Sequence, residues 1–323
     1  DIRLITGLSL HTGMEVLLKE GSHEHADAAV CERFNSFFKE GMDFPTQQQK
    51  ALARALVRAW YRTRYSAFIE RFEILSIEEE VSALLAPNIT LQGRVDAVTR
   101  DRRDGTILVW NWKSTSSMKD WQQKWDDDIQ AKTEALLTQE RLGENVLGCI
   151  FEGFYKGSMY KGVSTSPLIT GYVNSKTGMW RYDAPSGSGE KRAEWNKVPV
   201  WDEQHFKGGL KEWIDWLPED VVAEQFIRSE PVFKNDHEVR EWLKQVVKEE
   251  SDNEYVLSDQ VSEEDRLIHF KQNKGFRCQW CTFRPACRYE MEIGAMVDAG
   301  LLVSREANHP DGGRDAGLEP SGS

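Results

Sequence analysis

Acidic, amide and lysine side chains lie on two neighbouring β-like segments of this 323-residue chain. The first contains Gly93-Arg-Val-Asp96, and the second contains Asn111-Trp-Lys113. Side chains alternate between the two faces of a strand, so Asn111 and Lys113 are expected on one face. A hairpin of the two segments brings Asp96, Asn111 and Lys113 onto one surface, where they could share a metal-bound phosphate. The alternative is a half-exposed hairpin whose polar residues simply face solvent.

The elements that position these residues are predicted from composition and periodicity. Residues 89–99 and 106–113 are rich in β-branched and aromatic side chains, and residues 100–105 between them are typical of a turn. Trp110 and Trp112 are expected to pack behind the polar surface. In the first strand, Arg94 and Asp96 should share one face, and Val95 and Ala97 the other.

The following segments complete a mixed sheet. Residues 119–142 are compatible with a helix that carries Gln130, and residues 146–155 form an apolar run typical of a strand. With residues 73–81 as the first strand, the order is strand, strand, strand, helix, strand. This order predicts an α/β fold with a crossover helix. Further along, residues 168–185 indicate a hairpin, and residues 204–216 and 236–250 indicate amphipathic helices.

Cysteine spacing indicates a second metal site. Cys278, Cys281 and Cys287 form a C-x2-C-x5-C cluster, which in a chain lacking secretory signals favours a metal site over disulfides. Three local thiolates need a fourth ligand, and the site could hold an iron–sulfur cluster or zinc. Cys31, on a helix predicted at residues 26–39, is the better candidate, with a residue upstream of Asp1 as the alternative. Cys149 lies in an apolar run and is expected to be a small core residue.

Composition excludes some classes of protein. The net charge of −12 argues against a protein that coats nucleic acid non-specifically, although an acidic metal site with a local basic groove stays compatible with it. No run of about 18 apolar residues predicts a transmembrane helix, so no membrane partner is expected. No signal peptide is visible, and upstream sequence is expected to be missing because the chain starts at Asp1.

The order of these motifs resembles the PD-(D/E)XK nuclease superfamily, specifically its RecB-like branch. Members of that branch carry a helical histidine, Gly-x-x-Asp, Asp/Glu-x-Lys-Thr and a Gln-x-x-x-Tyr helix. Gly93-Arg-Val-Asp96 matches the second motif, and Asn111-Trp-Lys113-Ser114 resembles the third with Asn for the acid and Ser for Thr. Gln130 matches the helix motif with Glu134 in place of its tyrosine, and His11 resembles the histidine. The cysteine cluster resembles that of AddB-type helicase–nucleases and CRISPR-associated exonucleases.

The resemblance implies a restriction-endonuclease-like core, a mixed central sheet flanked by helices. It assigns residues 1–165 to the nuclease core and residues 166–275 to a hairpin insertion and helices that complete the domain. Residues 276–292 would hold a 4Fe-4S cluster, with zinc as the alternative, and residues 304–323 are expected to be a disordered tail. The cluster ligands implied are Cys31, Cys278, Cys281 and Cys287.

The resemblance also implies the roles of single residues. Mg²⁺ or Mn²⁺ would bind at His11, Asp96, Asn111 and the backbone carbonyl of Trp112. Lys113 would help position or activate the attacking water and stabilise negative charge, and Gln130 would hold the lysine or the phosphate. The expected catalytic residues are Asp96, Asn111, Lys113 and Gln130.

Asn111 is the departure from the family pattern, because an amide brings no negative charge to the metal. Three interpretations remain: a natural degenerate nuclease, an engineered inactive variant, or a site that recruits another carboxylate. The candidate substitutes are Glu78, Glu79, Glu80 and Glu134, and at least one of Glu78, Glu79 and Glu80 should face the active surface by alternation.

The function that follows is a metal-dependent DNA nuclease, an exonuclease or single-strand-acting enzyme impaired by Asn111. The alternative is an inactive DNA-binding or structural subunit that keeps the fold and the metal cluster. The expected setting is DNA repair or recombination in the cytoplasm of a prokaryotic or phage-infected cell. The expected partners are DNA and a helicase or a recombination or replication protein.

Overall fold

The computed structural model describes residues 2–38, 41–87, 89–126, 128–160, 163–185, 194–202, 206–233 and 236–257. Cys278, Cys281 and Cys287, and the tail predicted at residues 304–323, lie outside the described residues. All contacts reported below lie within Asp1–Lys248, which forms one compact unit.

Four helices and one π-helical turn come first. They are α1 (Ile2–Glu20), α2 (His23–Phe37), α3 (Phe44–Trp60), a π-helical turn (Tyr61–Tyr65) and α4 (Ser66–Arg71). The Ser22 side chain caps α2 by accepting from the His25 N–H, and Asp43 caps α3 by accepting from the Thr46 N–H at 2.9 Å. The helix predicted at residues 26–39 is present as α2, which begins earlier, ends at Phe37 and carries Cys31 in a half-buried position.

A mixed sheet follows, as predicted. Its main strands are β1 (Phe72–Ala86), β2 (Ile89–Asp101), β3 (Ile107–Thr115) and β4 (Val146–Tyr155). β1 pairs antiparallel with β2, and β2 pairs antiparallel with β3. β3 pairs parallel with β4, and the crossover helix α5 (Ile129–Leu142) connects these two strands. The predicted order strand, strand, strand, helix, strand is thus confirmed, and so is the α/β class.

The predicted helix start at residue 119 is wrong, because α5 begins ten residues later, at Ile129. Asp128 caps it by accepting from the Ala131 N–H at 2.9 Å. Trp121 and Trp125, which fall within the predicted helix, lie in turns and pack on β4. The Trp121 indole donates to the Phe151 carbonyl at 3.2 Å, and Trp125 stacks on the Phe151 ring at 4.1 Å between centroids. These two rings therefore pack on β4 from turns, although their spacing of four residues also suits a helix.

The sheet separates two apolar clusters. Trp110 and Trp112 pack with helices α1–α4 in one cluster, whereas Val95 packs with α5 and β4 in the other. Ala97 belongs to the tryptophan side, so the expectation that Val95 and Ala97 share a face is wrong. The physical reason lies on the neighbouring strand. Glu78 adopts φ +50°, a left-handed conformation that interrupts the pleat beside Asp96.

The remaining elements lie further along the chain. β5 (Met159–Tyr160) pairs with β6 (Val163–Ser164), and β7 (Thr170–Asn174) pairs with β8 (Trp180–Arg181) and β9 (Trp195–Pro199). The β7–β8 pair is the predicted hairpin. Then come α6 (Gly209–Trp216), α7 (Glu219–Ala223), β10 (Phe226–Arg228), β11 (Val232–Phe233) and α8 (Asp236–Leu257). β10 and β11 pair antiparallel with β4. The helix predicted at residues 236–250 is confirmed as α8, whereas α6 begins at Gly209, later than the predicted start at residue 204. Among the described residues, no helix is long and apolar enough to cross a membrane.

Candidate active site

Three side chains from three elements meet at one cleft: His11 from α1, Glu78 from β1 and Asp96 from β2. His11 Nδ1 lies 3.0 Å from Asp96 Oδ1 and 3.5 Å from Glu78 Oε1. One potential ligand atom from each residue lies within 4.8 Å of the others. The cleft that they line has a volume of about 460 Å³. We call this group the His11–Glu78–Asp96 cluster.

The Asp96 carboxylate is held by the backbone of β3. Regular pairing of β2 with β3 ends at Ala97 and Trp110, and beyond it Asp96 Oδ2 accepts the Trp112 N–H at 2.6 Å. The carboxylate thus takes the place of a strand carbonyl, which satisfies a buried N–H. Asp96 is only 6 % exposed. Because the Trp112 N–H binds Oδ2, the other oxygen, Oδ1, is directed at His11.

Glu78 is held from the other side. Its Oε2 accepts from Arg94 Nε at 2.7 Å and lies 2.6 Å from Arg94 Nη2. Its buried Oε1 faces His11 Nδ1 at 3.5 Å, which is longer than a normal hydrogen bond. A buried carboxylate oxygen with so weak a donor contact is costly in a protein interior. Together with the Asp96 carboxylate and the His11 imidazole, this oxygen makes a donor set that fits a divalent cation.

The charges of the cluster are strongly coupled. Burial lowers the pKa of His11, but the hydrogen bond to Asp96 and the nearby Glu78 outweigh burial and raise that pKa to about 9. Burial likewise opposes the charge on Glu78, yet His11 and Arg94 lower the pKa of its carboxyl. Without a bound metal, His11 is therefore a cation at neutral pH, and its positive charge lies between the carboxylates of Glu78 and Asp96.

Asn111 lies in a second polar group, on the α5 side of the sheet. Its Nδ2 donates to Glu134 Oε2 at 2.8 Å, and Gln130 Nε2 donates to Glu134 Oε1 at 2.6 Å. Asn111 and Glu134 are 2 % and 3 % exposed. Burial raises the pKa of Glu134, whereas Asn111, Gln130 and the charge of Lys113 act in the opposite direction. The predicted helix glutamine thus contacts Glu134.

Lys113 belongs to the same side as Asn111, as alternation predicts. Its Nζ lies 5.8 Å from the centre of the Phe151 ring, and its charge acts on Glu134. Trp112 lies between Asn111 and Lys113 along β3, and its N–H is bound by Asp96. The backbone at Trp112 therefore joins the His11–Glu78–Asp96 cluster to the group that contains Asn111 and Lys113.

Among the other predicted residues, some lie at the cleft and others do not. Glu78 is the member of the three-glutamate run that faces the cleft, whereas Glu79 pairs with Arg141 at 2.9 Å and Glu80 is exposed. Cys149 is fully buried, which confirms it as a core residue. Arg94 was not expected at the site. Its position two residues before Asp96 was the available signal, since it shares the Asp96 side of β2.

A family model describing the PD-(D/E)XK nuclease superfamily matches residues 2–288. The chain belongs to the PD-(D/E)XK nuclease superfamily. None of the curated proteins compared with the chain matches it. Membership in the superfamily confirms the predicted resemblance at that level, and it accords with the mixed sheet and with the restriction-endonuclease-like fold class. Proteins of this superfamily are generally nucleases that use divalent metals, and the His11–Glu78–Asp96 cluster offers ligands for such a metal. The RecB-like branch stays a prediction.

Proposed function

We propose that this chain is a metal-dependent deoxyribonuclease of the RecB-like type, acting on DNA ends or single strands. The observation that carries the proposal is the His11–Glu78–Asp96 cluster at the cleft, in which Asp96 binds the N–H of Trp112, the residue before Lys113. Its two carboxylates and one imidazole suit Mn²⁺ or Mg²⁺.

His11, Glu78, Asp96 and Asn111 are the residues that would hold the metal, with the Trp112 carbonyl as a further predicted ligand. When bound, Mg²⁺ or Mn²⁺ supplies a water of lowered pKa and positive charge beside the scissile phosphate. The fixed orientation of Asp96 through the Trp112 N–H keeps its free oxygen pointed at this position. Fixed ligands lower the cost of organising the site when substrate arrives.

Lys113 and Arg94 supply the cationic side chains of the reaction. The Lys113 ammonium stabilises negative charge that grows on the phosphate oxygens, as donors in oxyanion holes do. Arg94 is 59 % exposed at the rim of the cleft, so its guanidinium can contact a backbone phosphate while bound to Glu78. Arg3 and Arg33 also line the cleft, so cationic side chains are available there although the net charge of the chain is −12.

The cysteine cluster is proposed to hold a 4Fe-4S cluster that staples the terminal segments. The C-x2-C-x5-C spacing of Cys278, Cys281 and Cys287 supports it, and the free thiol of Cys31 on α2 is the proposed fourth ligand. Iron and sulfide content of the purified protein, with its visible absorbance, tests this proposal. Zinc in stoichiometric amount and no iron would contradict it.

Asn111 favours the second candidate, an inactive DNA-binding or structural subunit. The discriminating experiment incubates end-labelled single- and double-stranded DNA with the chain and Mg²⁺ or Mn²⁺. We expect cleavage that needs the metal and is lost in Asp96→Asn, with exposed Asp104→Asn as the matched control. Mononucleotide release would indicate end-directed cleavage. DNA binding without cleavage by any version, including Asn111→Asp, would contradict the nuclease proposal and support the subunit.

A further inference from the structure

Exposed apolar side chains lie beside the His11–Glu78–Asp96 cluster, on one side of the cleft. The cleft follows α1, and its lining includes Arg3, Leu4 and Leu8 from that helix. Leu4 is 65 % exposed and Leu8 is 38 % exposed, although burial of a leucine side chain is favourable. Exposed apolar patches that are rimmed by polar residues are typical of surfaces that bind a ligand or partner. The two leucines therefore adjoin any substrate that binds at the cluster.

Helix geometry places the two leucines in line with His11. Residues three or four positions apart lie on one face of a helix, and Leu8 lies four residues after Leu4 and three before His11. At about 1.5 Å of rise per residue, this row extends about 10 Å from His11 toward the N-terminus of α1. Glu15 lines the cleft on the other side of His11 and is acidic. The cleft wall formed by α1 is therefore apolar on one side of the cluster and acidic on the other.

Arg33 and Phe37 extend the apolar wall onto α2. Arg33 lines the cleft, is exposed and forms no ion pair with any residue that the structure describes. Its guanidinium lies over the Phe37 ring, 5.0 Å from the ring centre, and Phe37 is 44 % exposed. Proteins that bind single-stranded nucleic acid combine cations for the phosphates with flat or apolar side chains for the faces of the bases. We call Leu4, Leu8, Arg33 and Phe37 the α1–α2 strip.

We propose that the α1–α2 strip determines substrate specificity by binding unpaired nucleotides of the DNA strand that enters the cleft. Leu4, Leu8 and Phe37 contact the faces of bases, and Arg33 binds a backbone phosphate. The base faces of a duplex are covered by the neighbouring base pairs, so only unpaired bases can contact the apolar side chains. This inference rests on the proposed function, since it takes DNA as the substrate, and it narrows that substrate to single-stranded DNA.

The salt dependence of DNA binding separates apolar contacts from ionic ones. Each phosphate contact to a single strand adds about 0.7 to the slope of log affinity against log salt concentration, because it releases counterions. The test variants are Leu4→Ser combined with Leu8→Ser, and Arg33→Gln. The matched controls lie outside the cleft: Leu84→Ser, at a leucine of β1 that is 70 % exposed, and Arg102→Gln, in an exposed turn.

Affinity is measured by fluorescence anisotropy of labelled oligothymidylate and of a labelled hairpin duplex, with a chelator present so that no cleavage occurs. We expect the double leucine variant to bind oligothymidylate about 10-fold more weakly than wild type, with unchanged salt slope and unchanged duplex affinity. Arg33→Gln should lower the slope for oligothymidylate by about 0.7. Both controls should bind as wild type does, and near-ultraviolet circular dichroism shows that each variant is folded.

Three results overturn the inference. The first is oligothymidylate affinity equal to that of wild type in the double leucine variant. The second is an equal loss of affinity for the duplex in that variant, because the leucines would then not contact unpaired bases. The third is an unchanged salt slope in Arg33→Gln, because Arg33 would then bind no phosphate.

Failure of the proposed function has a different signature. If wild type cleaves no DNA with Mn²⁺ but the double leucine variant loses single-strand binding, the nuclease proposal fails and the α1–α2 strip stands. If wild type cleaves DNA with Mn²⁺ and the double leucine variant binds and cleaves single strands as wild type does, the nuclease proposal stands and the strip is refuted.

Discussion

His11 lies between two carboxylates, and its protonation therefore makes the stability of the metal-free protein depend on pH. The pKa of His11 is 6.5 in an unfolded chain and rises to about 9 in the folded protein. At about 1.4 kcal/mol for each pH unit, this rise corresponds to about 3 kcal/mol of stability. A raised folded pKa stabilises the protein below the unfolded pKa, and the stabilisation is lost as pH rises through the folded value. The contribution of His11 is thus full at about pH 6 and mostly lost at about pH 9.

The assay is urea unfolding followed by tryptophan fluorescence in the presence of a chelator, at about pH 6 and about pH 9. The comparison is between wild type, His11→Gln and the exposed control His25→Gln. Other titrating groups are shared by all three proteins and cancel in the difference. We expect wild type and His25→Gln to lose about 3 kcal/mol more than His11→Gln over this range. Equal losses in all three proteins would refute the reasoning, because His11 would then gain nothing from Glu78 and Asp96.

Three further predictions concern catalysis and the sheet. Lys113→Met should lower the cleavage rate in a single-turnover assay by about 10²- to 10³-fold, whereas Mn²⁺ affinity measured by titration should be retained. Equal losses of cleavage rate and Mn²⁺ affinity would contradict the catalytic role of Lys113. Arg228→Leu should cost about 3–5 kcal/mol of unfolding free energy, since Glu152 is fully buried and accepts from Arg228 at 2.8 Å, and adding Glu152→Gln should recover most of it. Gly148→Ala should lower the melting temperature, at a cost of about 1–3 kcal/mol or more. The added Cβ would lie against the Val232 carbonyl of the neighbouring strand, and an unchanged melting temperature would contradict this.

Local patterns predicted the scaffold of the site well. β-branched runs on either side of a polar turn predicted the antiparallel pair that carries Asp96 and Lys113, and alternation placed Lys113 with Asn111. The apolar run Val146–Tyr155 predicted β4 with its bounds. These features depend on residue spacing within one element, which is visible in a sequence.

Features that depend on packing between elements were harder to predict. The start of α5 was missed because Trp121 and Trp125 pack on β4 from turns, at spacings that also suit a helix. The left-handed backbone of Glu78 interrupts the alternation of side chains between the two faces of β1. A spacing of two residues therefore does not predict which face a side chain takes on the far side of Glu78. The contact of Asn111 with Glu134 depends on how α5 lies across β3, and no spacing within either element encodes it.

Pulsed electron paramagnetic resonance of bound Mn²⁺ tests most directly whether the His11–Glu78–Asp96 cluster holds the catalytic metal. Imidazole coordination gives a nitrogen coupling in the spectrum. We expect this coupling in the Mn²⁺-loaded wild type and in His25→Gln, and its loss in His11→Gln with Mn²⁺ still present. A Mn²⁺ spectrum without nitrogen coupling in wild type, or the same coupling in His11→Gln, would contradict the account.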